Sequence, residues 1–156
     1  MQALLQVIEI HANFGSPLNF SEVGCLPALK SLSLRCVNIV TATFTEDNTP
    51  ALETLELNNI EEHIHIHLDL PNLTSLTVEH TWSDYTPNDL GNSLTRCPKL
   101  QSLHSYKFRG LCGKNFCVLP SMESMGLWRA ELLEHLEILS APLLENLDIE
   151  VCRTLE

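Results

Sequence analysis

Apolar residues recur along this chain in one short phrase rather than in scattered runs. The phrase appears as Pro27-Ala-Leu-Lys-Ser-Leu-Ser-Leu34, Pro50-Ala-Leu-Glu-Thr-Leu-Glu-Leu57, Pro71-Asn-Leu-Thr-Ser-Leu-Thr-Val78, Pro98-Lys-Leu-Gln-Ser-Leu-His-Ser105, Pro120-Ser-Met-Glu-Ser-Met-Gly-Leu127 and Pro142-Leu-Leu-Glu-Asn-Leu-Asp-Ile149. A seventh copy, Ala3-Leu-Leu-Gln-Val-Ile-Glu-Ile10, lacks the proline. Counted from the proline, offsets two, five and seven supply 21 places, and 20 of them hold Leu, Ile, Val or Met, with Ser105 the exception. The 44% apolar fraction by itself would fill about nine. Proline fixes φ and cannot donate to a hydrogen-bond ladder, so it belongs just ahead of a strand. The residue at offset two anchors the turn inward, and the alternation at offsets five and seven is that of a strand with one buried side. Each copy therefore predicts one short strand.

Successive copies are separated by 24, 23, 21, 27, 22 and 22 residues, inside the window of leucine-rich repeats. One such unit cannot bury its own apolar side, whereas stacked neighbours share a continuous core. The predicted fold is an α/β leucine-rich-repeat solenoid with a concave parallel sheet of about seven strands. Residues 1–156 are expected to form a single domain. Between the phrases, Val40-Thr-Ala-Thr-Phe-Thr45, Ile64-His-Ile-His-Leu68 and Leu136-Glu-Ile-Leu139 read as short convex strands. The clearest helix follows Thr86-Pro87 and runs from Asn88 to Arg96, with Leu90 and Leu94 four apart. Solenoids carry polar capping units at their ends. Neither end shows one, so the reading expects a piece of a longer array, or a product that self-associates through bare ends.

Charge narrows the partners. Nine Lys and Arg stand against 20 Asp and Glu, a formal charge of -11, which repels phosphate backbones and anionic membranes. Nucleic acid and membrane are thus disfavoured. The first ten residues lack the basic segment and apolar stretch of a secretory signal, and nowhere do about 18 apolar residues run together. Six irregularly spaced cysteines then read as reduced, packed thiols in an intracellular compartment, cytoplasmic or nuclear.

Leu70-Pro-Asn-Leu-Thr-Ser-Leu-Thr-Val78, Asp89-Leu90 and Cys97-Pro-Lys-Leu-Gln-Ser-Leu103 together resemble the cysteine-containing leucine-rich repeats of F-box proteins, as does Leu136 to Cys152. The resemblance spans essentially the whole chain at the level of the repeat. It implies a module that holds a substrate for ubiquitin transfer while a separate F-box binds the ligase. No F-box-like helical segment stands ahead of the repeats, and the reading expects no ligase-binding part within these residues. The Cys or Asn expected after each strand is found as Cys36, as Asn58 or Asn59, and as Cys152, but not in the copies opened by Pro98 and Pro120.

In such an architecture the outward residues sit at offsets four, six and eight. The offset-four column is mostly Ser and Thr, and the offset-eight column carries larger side chains, including Arg35, Glu79, Tyr106, Trp128 and Glu150. Tyr106 and Trp128 are predicted to be neighbours on adjacent strands, with His104 beside them. Exposed aromatic clusters are enriched at binding hot spots. The predicted contact patch is His104, Tyr106 and Trp128, flanked by Glu79, Asp148 and Glu150, with Arg35 on the same face. Its acidic flank suggests a partner with a basic surface.

Other chemistry is thin. His63, His65 and His67 alternate along one expected strand, an arrangement by which strand histidines can ligate zinc, but no third or fourth ligand spacing accompanies them. A metal-binding protein using that strand is the alternative function, and a structural segment of a longer solenoid is a third. Cys112 and Cys117 are spaced too widely for a zinc knuckle. There is no Gly-rich phosphate loop or nucleophile elbow, and no sequence logic buries a carboxylate pair. The sequence predicts no catalytic residues, no metal and no cofactor, and a protein that is not an enzyme. Asn19-Phe-Ser21 and Asn72-Leu-Thr74 match the glycosylation sequon, which matters only after export.

Overall fold

In a computed structural model of the chain, residues 5–11, 24–37, 41–59, 65–79, 93–106, 119–128 and 140–150 are described. They form nine strands: β1 Val7–His11, β2 Ser31–Arg35, β3 Thr41–Thr45, β4 Thr54–Asn58, β5 His65–Asp69, β6 Ser75–Glu79, β7 Ser102–Tyr106, β8 Ser124–Trp128 and β9 Asn146–Glu150. Seven of them are the seven phrases, each contributing offsets four to eight. They lie side by side in one parallel sheet, ordered β1-β2-β4-β6-β7-β8-β9. The register never slips, so equal offsets face one another across every pair, as in Leu32, Leu55, Leu76 and Leu103. The remaining two strands, β3 and β5, pair in parallel as a second small sheet. The expected convex strands are thus found in the first two segments described between phrases. Leu136 to Leu139 lie outside the described residues. Of the predicted helix only Ser93 and the residues after it are described, with Ser93 and Leu94 helical and Thr95 and Arg96 in a turn.

Two recurring hydrogen-bond devices explain the regularity. At each proline the amide at offset two donates to the carbonyl just ahead of the proline, as in Leu29 to Leu26, Leu52 to Thr49 and Leu100 to Cys97, each at 3.1 Å. The proline is therefore the second residue of a β-turn, the position for which its fixed φ is suited. Immediately after the turn, the amides at offsets three and four both donate to a single carbonyl at offset three of the preceding rung. Glu53 and Thr54 bond Lys30 at 2.8 and 2.9 Å, and Glu123 and Ser124 bond Gln101 at 2.8 and 2.9 Å. Repeated from β1 to β9, this shared acceptor holds adjacent rungs at one register.

Beneath the sheet, offsets two, five and seven form one buried cluster that includes Leu29, Leu32, Leu34, Leu52, Leu55, Leu57, Leu73, Leu76 and Val78, joined by Phe44 of β3 and Leu68 of β5. Each such leucine taken from water contributes roughly 1.5–3 kcal/mol. A further inward column, unmarked by the three-place pattern, lies just ahead of the proline: Thr49, Leu70, Cys97 and Leu119 are all buried there. The end rungs, flanked on one side only among the described residues, differ. Leu147 is 50% exposed whereas Leu55 at the same offset is 0% exposed, and Leu5, Val7 and Leu143 are likewise exposed.

The turn that leaves the strand has its own requirement. Cys36 and Asn59, both at offset nine, adopt the left-handed backbone conformation at φ 55° and 54°. Of the two candidate asparagines, Asn59 is therefore the turn residue and Asn58 the last strand residue. Their amides continue the ladder, Cys36 to the Asn58 carbonyl at 3.0 Å and Asn59 to that of Glu79 at 2.8 Å, and the Asn59 carboxamide donates to the Cys36 sulfur at 3.4 Å. The equivalent positions of the copies opened by Pro98 and Pro120 lie outside the described residues.

Two buried groups lead to predictions. Ser105, the exception to the apolar pattern, is 1% exposed between Val78 and Leu127, and its buried hydroxyl has no hydrogen-bond partner among the described residues. Removing that hydroxyl in Ser105→Ala is expected to raise unfolding stability by about 1 kcal/mol, read by urea titration. Cys97 sits in the column ahead of the prolines, where burial, opposed by a backbone hydrogen bond at Leu70 and aided by the Asp69 charge, raises its thiol pKa from 9.0 to about 11. Because the folded value lies above the unfolded one, the associated stability is complete below pH 9.0 and is lost as pH rises through about 11. Near neutrality, iodoacetamide is expected to label exposed Cys25 in the native protein and to reach Cys97 only on unfolding, as mass spectrometry of the digested chain would show.

Candidate protein-binding face

The sheet's outward side is written by three rows running across the strands. Offset four gives Val7, Ser31, Thr54, Ser75, Ser102, Ser124 and Asn146. Small hydroxyl residues keep this edge low. Offset six gives Glu9, Ser33, Glu56, Thr77, His104, Gly126 and Asp148, and offset eight His11, Arg35, Asn58, Glu79, Tyr106, Trp128 and Glu150. Five carboxylates thus stand on this face, against Arg35 as the one Lys or Arg in the three rows.

Tyr106 and Trp128 face each other across β7 and β8, as expected from the phrase alignment. Ring stacking, however, joins Trp128 to His104, with centroids 5.5 Å apart and planes 4° from parallel. From offset eight the indole folds back over offset six of its own strand. A Cβ on Gly126 would lie 2.4 Å from the ring, so only glycine leaves room for it there. The ring is then tied down on the far side, where its Nε1 donates to Asp148 Oδ2 at 3.0 Å. Three adjacent strands thereby hold one tryptophan in one orientation. Glu79 borders Tyr106 on β6, and Glu150 borders Trp128 on β9.

Arg35 stands apart from this cluster. It lies on β2, three strands from Tyr106, and its guanidinium reaches Glu56 Oε2 at 3.5 Å, an oxygen that also accepts from Ser33 Oγ at 3.1 Å. Between the two regions is a depression of about 360 Å³ lined by Arg35, Cys36, Asn58, Asn59 and Glu79. The Asn58 carboxamide oxygen is buried, with no donor among the described residues. Sequence reasoning missed Gly126, although a glycine in a row of polar side chains, two residues before a tryptophan, is the signal that would have found it.

On the other side of the solenoid, His67 of β5 is exposed, with Nε2 3.4 Å from Arg96 Nη1, and Arg96 reaches Asp69 at 3.8 Å. A guanidinium beside that ring nitrogen opposes a metal cation there. His63 and the side chain of His65 lie outside the described residues, as do Cys112 and Cys117. Both ends of the Asn72 carboxamide are engaged: it donates to the Pro50 carbonyl at 2.9 Å and accepts from Lys99 Nζ at 2.7 Å.

Parallel rungs of 21 to 27 residues, a buried leucine ladder and an open sheet face carrying an ordered aromatic cluster define a leucine-rich-repeat solenoid of the protein-interaction kind. Residues 63–155, more than half of the chain, match the family of the FBD-associated F-box protein At5g56370, leucine-rich repeats, and the chain belongs to that family. No curated protein and no solved structure matches the chain.

Gly126→Ala is expected to lift the indole off the sheet, breaking both the His104 stack and the Asp148 bond while changing unfolding stability by less than about 1 kcal/mol. The near-ultraviolet circular dichroism contributed by Trp128, read as the difference from a Trp128→Phe chain, should fall, and an unchanged contribution would contradict the role assigned to this glycine.

Proposed function

We propose that this chain is a non-catalytic recognition module that holds a protein partner across the open face of its sheet. The contact patch is His104, Tyr106 and Trp128, flanked by Glu79, Asp148 and Glu150, with Arg35 further along the face. The observation that carries this reading is the fixed Trp128. An aromatic side chain stacked, hydrogen-bonded and seated over glycine has already lost most of its rotamer freedom, so a partner meeting it incurs little further ordering cost. The five carboxylates of the face favour a partner with a basic surface and a faster encounter at low salt.

Membership of a family named for an F-box protein supports the finer reading, in which the bound partner is a substrate delivered to an F-box-type ubiquitin ligase, and we place that assembly in the cytoplasm or nucleus. In that assembly the repeats select, and the transfer chemistry belongs to other components.

The test is affinity capture with the wild-type chain and with Trp128→Ala combined with Tyr106→Ala, followed by titration of the captured prey. Loss of a hot spot is expected to weaken that prey by about 30-fold or more. Retention of the same prey at unchanged affinity would remove the patch from consideration.

A further inference from the structure

The offset-eight row has an internal symmetry in its last four members. Glu79, Tyr106, Trp128 and Glu150 occupy consecutive rungs β6, β7, β8 and β9, in the order acid, aromatic, aromatic, acid. Adjacent strands lie about 4.8 Å apart, so the backbone positions of the two carboxylates are separated by about 14 Å, and β7 and β8, which carry the aromatic pair, are centred about 7 Å from each, the Trp128 indole lying over offset six of β8. An extended chain advances about 3.4 Å per residue and turns alternate side chains to one face. Its residues i, i+2 and i+4 therefore fall at about 0, 7 and 14 Å, the spacing of the row. A helix does not match. Its same-face positions i+7 and i+11 fall at about 10.5 and 16.5 Å, either side of the second carboxylate.

We infer that the occupant of this face is an extended basic segment of the partner protein lying across the strands, with cationic residues at i and i+4 set against Glu79 and Glu150 and an apolar residue at i+2 over Tyr106 and Trp128. This rests on the protein-binding reading above and adds to it the partner's conformation and spacing. Charge complementarity selects the cations, since this end of the face holds Glu79, Asp148 and Glu150 and its three rows contain no Lys or Arg from β6 to β9. Beside Glu79 lies a depression of about 360 Å³, on whose far wall Arg35 is already engaged by Glu56 at 3.5 Å. Trp128, held by Asp148 and His104, presents its apolar surface between the two acids.

The experiment uses three capped, fluorescein-labelled peptides of equal charge, each with one leucine between two lysines in a serine-glycine background and with lysine spacings of two, four or six. Anisotropy titration against the 156-residue chain is expected to favour spacing four by about tenfold over the other two. Glu79→Gln and Glu150→Gln, each checked for unchanged thermal unfolding, are each expected to abolish the preference. Equal binding of all three peptides, no binding by any of them at millimolar concentration, or a preference that survives both substitutions together overturns the inference. Failure of the patch itself is read separately, from prey capture by the Trp128→Ala and Tyr106→Ala chain.

Discussion

Each rung of this protein exposes an apolar edge that it has no means of covering by itself. Leu55 is fully buried because Leu32 and Leu76 lie at the same height on either side of it, whereas Leu147, on the last described rung, is half exposed. Burial is thus a property of the stack and not of the repeat. It is achieved only if neighbouring rungs keep one register, since a slip of one residue would turn every leucine outward. The shared carbonyl at offset three and the proline turn before it set that register locally at every step, which makes a long parallel sheet attainable from short, similar phrases.

The same constraint makes the outward face a ruled surface. Rungs spaced by backbone hydrogen bonds carry side chains at fixed intervals, so the chemistry the face presents reduces to which residues occupy the rows. Toward β2 and β4, Arg35 and Ser33 both engage Glu56. Toward β8 and β9 the rows carry an ordered aromatic ring bordered by carboxylates. Core and outward face are therefore separated within each strand, with offsets five and seven serving the core and offsets six and eight the face.

Departures from the repeat are informative for the same reason. Ser105 places a hydroxyl where its neighbours place methyl groups, at a cost to the core. Gly126 removes a side chain from the face and lets Trp128 lie over the vacated position. Cys36 and Asn59 accept a left-handed backbone so that the ladder continues into the turn. Asparagine tolerates that conformation through its short polar side chain, and its carboxamide here bonds the cysteine sulfur of the preceding rung.

Strand number, parallel order, register and the membership of the buried and outward rows were all legible in the sequence, because a period-two alternation repeated at proline-led intervals leaves one geometry that buries every leucine. The convex strands Thr41–Thr45 and His65–Asp69 were legible from their β-branched and alternating composition. Tertiary structure alone decided which side chains of the face touch. That Trp128 would stack on His104 and donate to Asp148 depends on side-chain torsions and on the free space above Gly126, which no pattern of apolar and polar positions encodes. Likewise the choice between Asn58 and Asn59, and the burial of Cys97 in a column ahead of the prolines, followed from backbone torsion and packing between rungs far apart in the chain.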